Sequence, residues 1–125
     1  MNRTITTLGG KKIDLNPADV GTMGRLEEAV KVSSDSFQEL SKKIAKMTDN
    51  DVDIEVLRTM CMTVKTFTDS VFGDGTADKL FADSLDVEEL VTFYGDVLTV
   101  FDEEGNRLTG VLTKMWNIGD KDDSK

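Results

Sequence analysis

Two short runs of residues that favour β-strands, 4–8 and 11–15, open the chain on either side of Gly9 and Gly10. Glycine tolerates the positive φ that a tight turn requires, so the pattern predicts a β-hairpin over about residues 4–15. The apolar residues of the second run share one face of a strand, whereas Ile5 and Leu8 of the first do not. We therefore expect either a bulge in the first strand or a longer loop.

Asn16 and Pro17 mark the predicted start of a first helix, because Asn caps helix N-termini and Pro is tolerated at the first helical position. Gly21 and Gly24 favour a later start, and the polar run 33–36 leaves open a break into two helices. With only Ser33 interrupting the series, apolar residues recur at steps of three and four, as in a heptad seam, at Met23, Leu26, Val30, Phe37, Leu40, Ile44 and Met47.

A second helix is expected after the turn-like residues 48–51, and Gly73 is a natural C-terminal stop for it. Its apolar face consists of Ile54, Leu57, Met60, Cys61, Val64, Phe67, Val71 and Phe72. Thr76 is then placed to cap a short helical turn that carries Leu80 and Phe81.

Asp86 and Glu89 form a pair of the capping-box type, which predicts that another helix begins there. The polar residues 102–106 are expected to end this helix. A last amphipathic helix is predicted from apolar residues at positions i, i+3, i+4, i+7 and i+8, namely Leu108, Val111, Leu112, Met115 and Trp116.

These elements together predict a mainly α protein, a bundle of about four helices with a short N-terminal β-hairpin. We expect a single domain over residues 1–119 and a disordered charged tail over residues 120–125.

Composition narrows the functional classes. The chain has 125 residues and a formal charge of −9, so direct binding to a nucleic-acid backbone is disfavoured. It contains no His and a single Cys, which removes His-based acid–base catalysis, Cys-His pairs and the usual zinc sites. We expect a protein that is not an enzyme and needs no cofactor or metal.

No apolar run approaches the roughly 18 residues of a membrane span, and the first residues lack the apolar core of a signal peptide. These features predict an intracellular protein without a membrane partner.

Three local patterns invite chemical interpretations and fail on spacing or surroundings. Residues 72–78 resemble a calcium loop or a phosphate loop, but the ligand spacing, the third glycine and the P-loop Lys are missing. The acidic pairs 27–28, 88–89 and 103–104 are sequence neighbours, which we expect to lie on solvated faces or to favour helix N-termini. Cys61 lies on a predicted apolar face and is expected to be a small core residue.

Two apolar segments remain as candidate partner-binding surfaces. Leu112, Met115 and Trp116 either dock onto the bundle or form an apolar strip for a partner. The seam residues Phe37, Leu40 and Ile44 are either intramolecular core or a self-association surface that would make a homo-oligomer.

The order of elements carries a family resemblance. A Gly-Gly hairpin precedes a long helix, and the second helix ends in a block whose key positions are Phe67, Phe72, Gly73, Gly75, Thr76, Lys79, Leu80 and Phe81. This arrangement, from about Thr4 to Phe101, resembles small tailed-phage and prophage proteins of Gram-positive hosts, similar to the tail assembly chaperones of long-tailed phages. The chain departs from the family pattern after Phe101.

The resemblance implies a non-enzymatic tail assembly chaperone. Such a protein binds the long, hydrophobic, helical tape-measure protein, keeps it soluble and helps to recruit tail-tube subunits. It acts in the host cytoplasm and is absent from the finished virion. The family defines no catalytic or ligand-binding residues, so none is carried over to this chain.

A second hypothesis comes from the acidic charge. A small acidic phage protein can mimic nucleic acid and block a host DNA-binding or defence protein. Such a mimic needs carboxylates clustered at phosphate-like spacing, whereas here they are interspersed with Lys42, Lys43, Lys46, Lys65 and Lys79. Binding that weakens steeply with salt would favour the mimic over the chaperone.

The strip hypothesis yields a direct prediction. We expect Trp116→Ala to weaken partner binding more than it lowers the melting temperature, because Trp is the residue type most enriched in binding hot spots. Affinity and thermal unfolding of the two proteins provide the measurement. If the thermal transition were lost while the folded fraction kept its affinity, the last helix would be part of the core instead.

Overall fold

Six elements make up the described part of the chain, residues 2–48 and 50–116 of a computed structural model. They are β1 (Arg3–Thr6), β2 (Lys12–Leu15), α1 (Val20–Ile44), α2 (Ile54–Phe72), α3 (Thr76–Phe81) and α4 (Val87–Trp116). This architecture confirms the predicted mainly α fold with four helices and an N-terminal hairpin. The predicted charged tail, residues 120–125, lies outside the described residues.

The hairpin has a regular register and a long loop. Its antiparallel strands pair Arg3 with Leu15 and Ile5 with Ile13, without a bulge. The loop is closed by a hydrogen bond from the Thr7 amide to the Lys11 carbonyl, 2.7 Å long, and contains Gly10 at a φ of +88°. The longer-loop alternative is therefore correct, and Leu8 falls outside the strand because it belongs to the loop.

Helix α1 begins three residues later than the Asn16–Pro17 signal predicted. The Asp19 carboxylate accepts a 2.8 Å hydrogen bond from the Thr22 amide and caps the helix. This bond holds the pKa of Asp19 below its ordinary value. Asn16 instead accepts a bond from the Ala18 amide, 3.1 Å long, which shapes a turn before the helix.

Serine residues do not break α1, which is continuous through residues 33–36. The buried Ser33 hydroxyl lies 3.2 Å from the Val30 carbonyl, to which it donates, and 2.9 Å from the Tyr94 hydroxyl. Its polar group is thus satisfied inside the bundle, so the helix tolerates it.

The predicted break at residues 102–106 is wrong, because α4 runs through it without interruption. Glu104 and Arg107 form an ion pair at i,i+3 across this segment, with the Arg107 Nε atom 3.0 Å from the carboxylate. Acidic residues are adequate helix formers and the stretch has no Pro, so the ion pair and helix propensity outweigh the single Gly105. The two predicted helices are therefore one.

The junction between α2 and α3 is capped by a side chain of α2. Gly73 ends α2 at a φ of +113°, as predicted. Thr76 is the first residue of α3 rather than its cap, and the Ala77 amide donates to the Asp69 carboxylate, 2.8 Å away in α2. The carboxylate of α2 thus supplies the cap that a sequence neighbour was expected to provide.

The start of α4 makes half of the predicted capping box. Asp86 accepts a 3.0 Å hydrogen bond from the Glu89 amide. The Glu89 carboxylate does not return to Asp86, since it accepts from the Gly9 amide at 2.9 Å. Glu89 thereby ties the hairpin loop to the first turn of α4.

Helix α2 occupies the centre of the fold and packs against α1, α3 and α4. Tyr94 of α4 makes edge-to-face contacts with Phe67 of α2 and Phe37 of α1, at ring-centroid distances of 4.7 and 5.0 Å. Phe93 packs on the other side, 5.3 Å from Phe81 of α3. A row of aromatic rings therefore joins all four helices.

We expect the Ser33–Tyr94 hydrogen bond to appear as coupling in a double-mutant cycle. Ser33→Ala and Tyr94→Phe should each lower the free energy of unfolding by about 1 kcal/mol, because each leaves the other hydroxyl without this partner. The double variant should lose less than the sum. Urea denaturation of the four proteins measures the coupling, and strictly additive losses would contradict it.

Candidate functional site

A groove between α1 and α2 with a volume of about 390 Å³ is a candidate binding surface of the described residues. Ala29 and Phe67 at the groove are buried, whereas Val32 and Met62 are 58% and 50% exposed. The groove is lined by Arg25, Glu28, Ala29, Val32, Ser33, Ser36, Thr59, Met62, Thr63, Thr66, Phe67 and Ser70. It therefore has an apolar base and exposed apolar side chains, as helix-binding grooves do.

Short side chains create this groove, because they fail to fill the space between two packed helices. Hydroxyl groups along α2 are already used locally. Thr59 donates to the Glu55 carbonyl and Thr63 to the Thr59 carbonyl, each at 2.8 Å. These threonines thus offer their methyl groups rather than free donors, so the groove favours an apolar occupant.

The charges around the groove are balanced. Arg25 is held at one end, where it donates to the Val71 carbonyl at 3.1 Å. Glu28 lines the groove, and helical spacing places Glu39 one turn beyond Ser36 and Glu55 one turn before Thr59. The lining thus holds one cation and one anion, and the two acids beyond it are paired, Glu39 with Lys42 and Glu55 with Arg58.

The second surface is the last part of α4, Gly105–Trp116, which we call the α4 extension. Its apolar side chains are largely free of the bundle, with Leu112 48% and Met115 61% exposed. Trp116 is the last residue whose backbone is described, and its side chain lies outside the described part of the structure. The alternative in which this segment docks onto the bundle is thus wrong for Leu112 and Met115, while partner binding stays a prediction.

Glu104 is a buried acid at the base of the extension, where it pairs with Arg107. Its side chain is only 3% exposed, so the expectation that residues 103–104 lie on a solvated face is wrong for this residue. The hydrogen bond from Arg107 holds the pKa of Glu104 below its ordinary value and raises that of Arg107. One residue earlier, Glu103 accepts from Arg3 of β1 at 2.8 Å, which fixes the hairpin against the same turn.

The predicted seam of α1 divides between interior and surface. Leu40 is buried and Phe37 packs on Tyr94, so these two side chains are engaged within the chain. Ile44 is 36% exposed at the end of the helix. Leu40 is therefore a core residue, whereas Phe37 is partly buried and Ile44 is exposed, and self-association through this face stays a prediction.

The candidate reactive groups of the sequence occupy structural positions. The Cys61 thiol is buried and donates to the Leu85 carbonyl at 3.4 Å, and burial raises its pKa. Residues 73–78 form the helix stop and the next helix start. Among residues 2–48 and 50–116, no group of three or more His, Cys, Asp or Glu side chains is arranged to hold a metal ion.

The model of a family of unknown function, DUF6673, matches residues 9–120. The chain belongs to this family. No curated protein and no solved structure matches it. The DUF6673 match covers all four helices, so both the groove and the α4 extension lie within the family's shared segment.

Among the described residues of this DUF6673 protein, no helix combines the length and the apolar character needed to cross a bilayer.

Sequence reasoning found the α4 extension and missed the groove. The available signal was a repeat of short residues on one face of each helix, such as Ser33 and Ser36 on α1 and Thr59 and Thr63 on α2. In a sequence this repeat looks like an ordinary polar face. Only the pairing of the two helices shows that the short side chains meet.

The ion pair of Glu104 with Arg107 leads to a pH-dependent prediction. Its folded pKa is depressed, so its contribution to stability is present above the unfolded pKa of about 4.3 and disappears as the pH falls through the folded value. We expect Glu104→Gln to lower the free energy of unfolding at pH 7, and the gap from wild type to narrow in acid. Urea denaturation at several pH values measures the gap, and a gap independent of pH would contradict this role.

Proposed function

We propose that this protein is a non-enzymatic tail assembly chaperone that holds an apolar helical segment of a phage tape-measure protein in the α1–α2 groove. The resemblance of residues 4–101 to tail assembly chaperones supplies the identity of the client. The apolar groove is the observation that carries the mechanism, because it is an open site between helices that an amphipathic helix can enter.

The dimensions of the groove suit a helix of a few turns. Its lining runs from Arg25 to Ser36 on α1 and from Thr59 to Ser70 on α2. At 1.5 Å per residue, each wall is roughly 16 Å long, about three helical turns. Two or three apolar side chains of a client helix, spaced three and four residues apart, would pack between Val32 and Met62.

Holding such a helix serves assembly in two ways. It removes apolar client surface from water, and the charge of −9 on the chaperone disfavours contact between loaded complexes. The extension, with Leu112 and Met115 exposed, offers a separate surface for a tail-tube subunit. The two surfaces together would bring tube subunits to a protected tape-measure segment in the host cytoplasm.

The acidic-inhibitor hypothesis makes a different demand on the surface. A nucleic-acid mimic needs carboxylates free to face a basic partner. Here the Glu39 carboxylate lies 3.9 Å from the Lys42 Nζ atom, and the Glu55 carboxylate lies 3.3 Å from the Arg58 Nε atom. Surface ion pairs of this kind are weak, so they do not prevent the carboxylates from facing a basic partner. The charge of −9 therefore keeps the acidic inhibitor as the second candidate. Salt separates the two, because apolar docking persists at high ionic strength and charge mimicry does not.

We expect Met62→Asp to reduce co-purification with the tape-measure protein and to weaken binding about tenfold or more, because it places a charge in the apolar groove. Val91→Asp is the matched control, since Val91 is similarly exposed on α4 and does not line the groove. Co-expression followed by pull-down at low and high salt provides the measurement. Binding that is unaffected by Met62→Asp, or that is lost at high salt in the unmodified protein, would contradict the proposal.

A further inference from the structure

An apolar seam on α4 continues past the end of the bundle into the α4 extension. Its members follow one another at alternating steps of four and three residues, namely Tyr94, Leu98, Phe101, Gly105, Leu108, Leu112 and Met115. The first three pack against the core of the chain, whereas Leu112 and Met115 are 48% and 61% exposed. A mean step of 3.5 residues is that of a coiled coil. The outer half of the seam therefore has the pattern of a helix that pairs with another helix.

Gly105 leaves a gap in this seam. A β-carbon added there would meet no atom of the chain within 4 Å, so packing within the bundle does not require a glycine at this position. Glycine lowers helix propensity, and a helix as short as the extension is marginal in water without packing. A partner helix that approaches closely at Gly105 accounts for both features.

We propose that the extensions of two copies of this chain pair as an antiparallel coiled coil. A pair centred on residue 110 sets Gly105 of each copy opposite Met115 of the other, because both positions are five residues from the centre. Leu108 then meets Leu112 in the two layers between them. The long, flexible Met side chain fills the gap at the glycine. The extension is thus complementary to itself, with large residues facing small ones as a close-packed interface requires.

A parallel pair lacks this complementarity. It would set Gly105 against Gly105 and leave a hole, and it would crowd Met115 against Met115. It would also bring two bodies from chains of charge −9 to the same end of the pair, where they repel. The antiparallel arrangement places the two bodies at opposite ends. Side-chain size and charge therefore favour the same orientation.

Charged side chains of the extension stay outside the paired face. Thr109 and Val111 flank the seam and are uncharged, whereas Arg107 and Lys114 lie at the outer positions of the heptad. Arg107 is also paired with Glu104. An uncharged face selects neither an acidic nor a basic partner. The match between Gly105 and Met115 is what selects a second copy, since every copy brings both residues in the required order.

The inference concerns the protein without any client and does not rest on the proposed chaperone function. A tube subunit that used the same apolar strip would have to displace the second copy.

Substitution of two glycines tests the gap. Both Gly105 and Gly110 accept a β-carbon without contact in the single chain, so neither substitution disturbs the bundle. By sedimentation equilibrium we expect reversible dimers at micromolar concentrations, with the dissociation constant raised about tenfold or more by Gly105→Leu. Gly110→Leu is the matched control. Residue 110 faces away from the seam, so this variant should leave the dissociation constant unchanged or lower it through its higher helix propensity.

Cysteine trapping tests the direction of the pair. Leu108→Cys and Leu112→Cys variants of the full chain are mixed and exposed to a mild oxidant, while the native Cys61 remains buried. We expect the mixed disulfide in excess over random pairing, because the two positions face each other only in the antiparallel arrangement. Asn106→Cys with Thr113→Cys is the control pair, since both residues are exposed on the outer side of the extension. It should show no excess.

Three results would overturn the proposal. They are a monomeric mass at every concentration, equal effects of Gly105→Leu and Gly110→Leu, and an excess of the symmetric disulfides of Leu108→Cys and Leu112→Cys. Because no client is present in either experiment, each of these failures would leave the proposed chaperone function untouched.

Discussion

The contact of Tyr94 with Phe37, Phe67 and Ser33 fixes the relation of the three long helices. Its ring meets an aromatic side chain from α1 and another from α2, and its hydroxyl meets the buried serine of α1. Aromatic pairs of this geometry contribute about 0.5–1.5 kcal/mol each beyond the burial of their area. One side chain of α4 thus links both α1 and α2 at a single point. Ser33 and Phe67 also line the groove, so the binding surface is the outer side of the same packing contact.

Periodicity predicted the helices well because their apolar faces are built on local spacing. The seam through Leu26, Val30 and Phe37 and the face of α2 through Val64 and Phe67 both lie where the pattern placed them. Helix ends were harder to predict, since they depend on which polar side chain accepts hydrogen bonds from the free amides of the first turn. Asp19 rather than Asn16 caps α1, because Asn16 is committed to the turn before it.

The remaining errors involve partners that a local pattern does not contain. Glu104 looked like one of two neighbouring surface acids, yet it is buried beside Arg107 and carries α4 through a stretch expected to end it. The i,i+3 spacing of these two residues was visible in the sequence, and it was outweighed by the polar composition around them. The groove lay beyond sequence reasoning, because it exists only where short residues of α1 and α2 face each other.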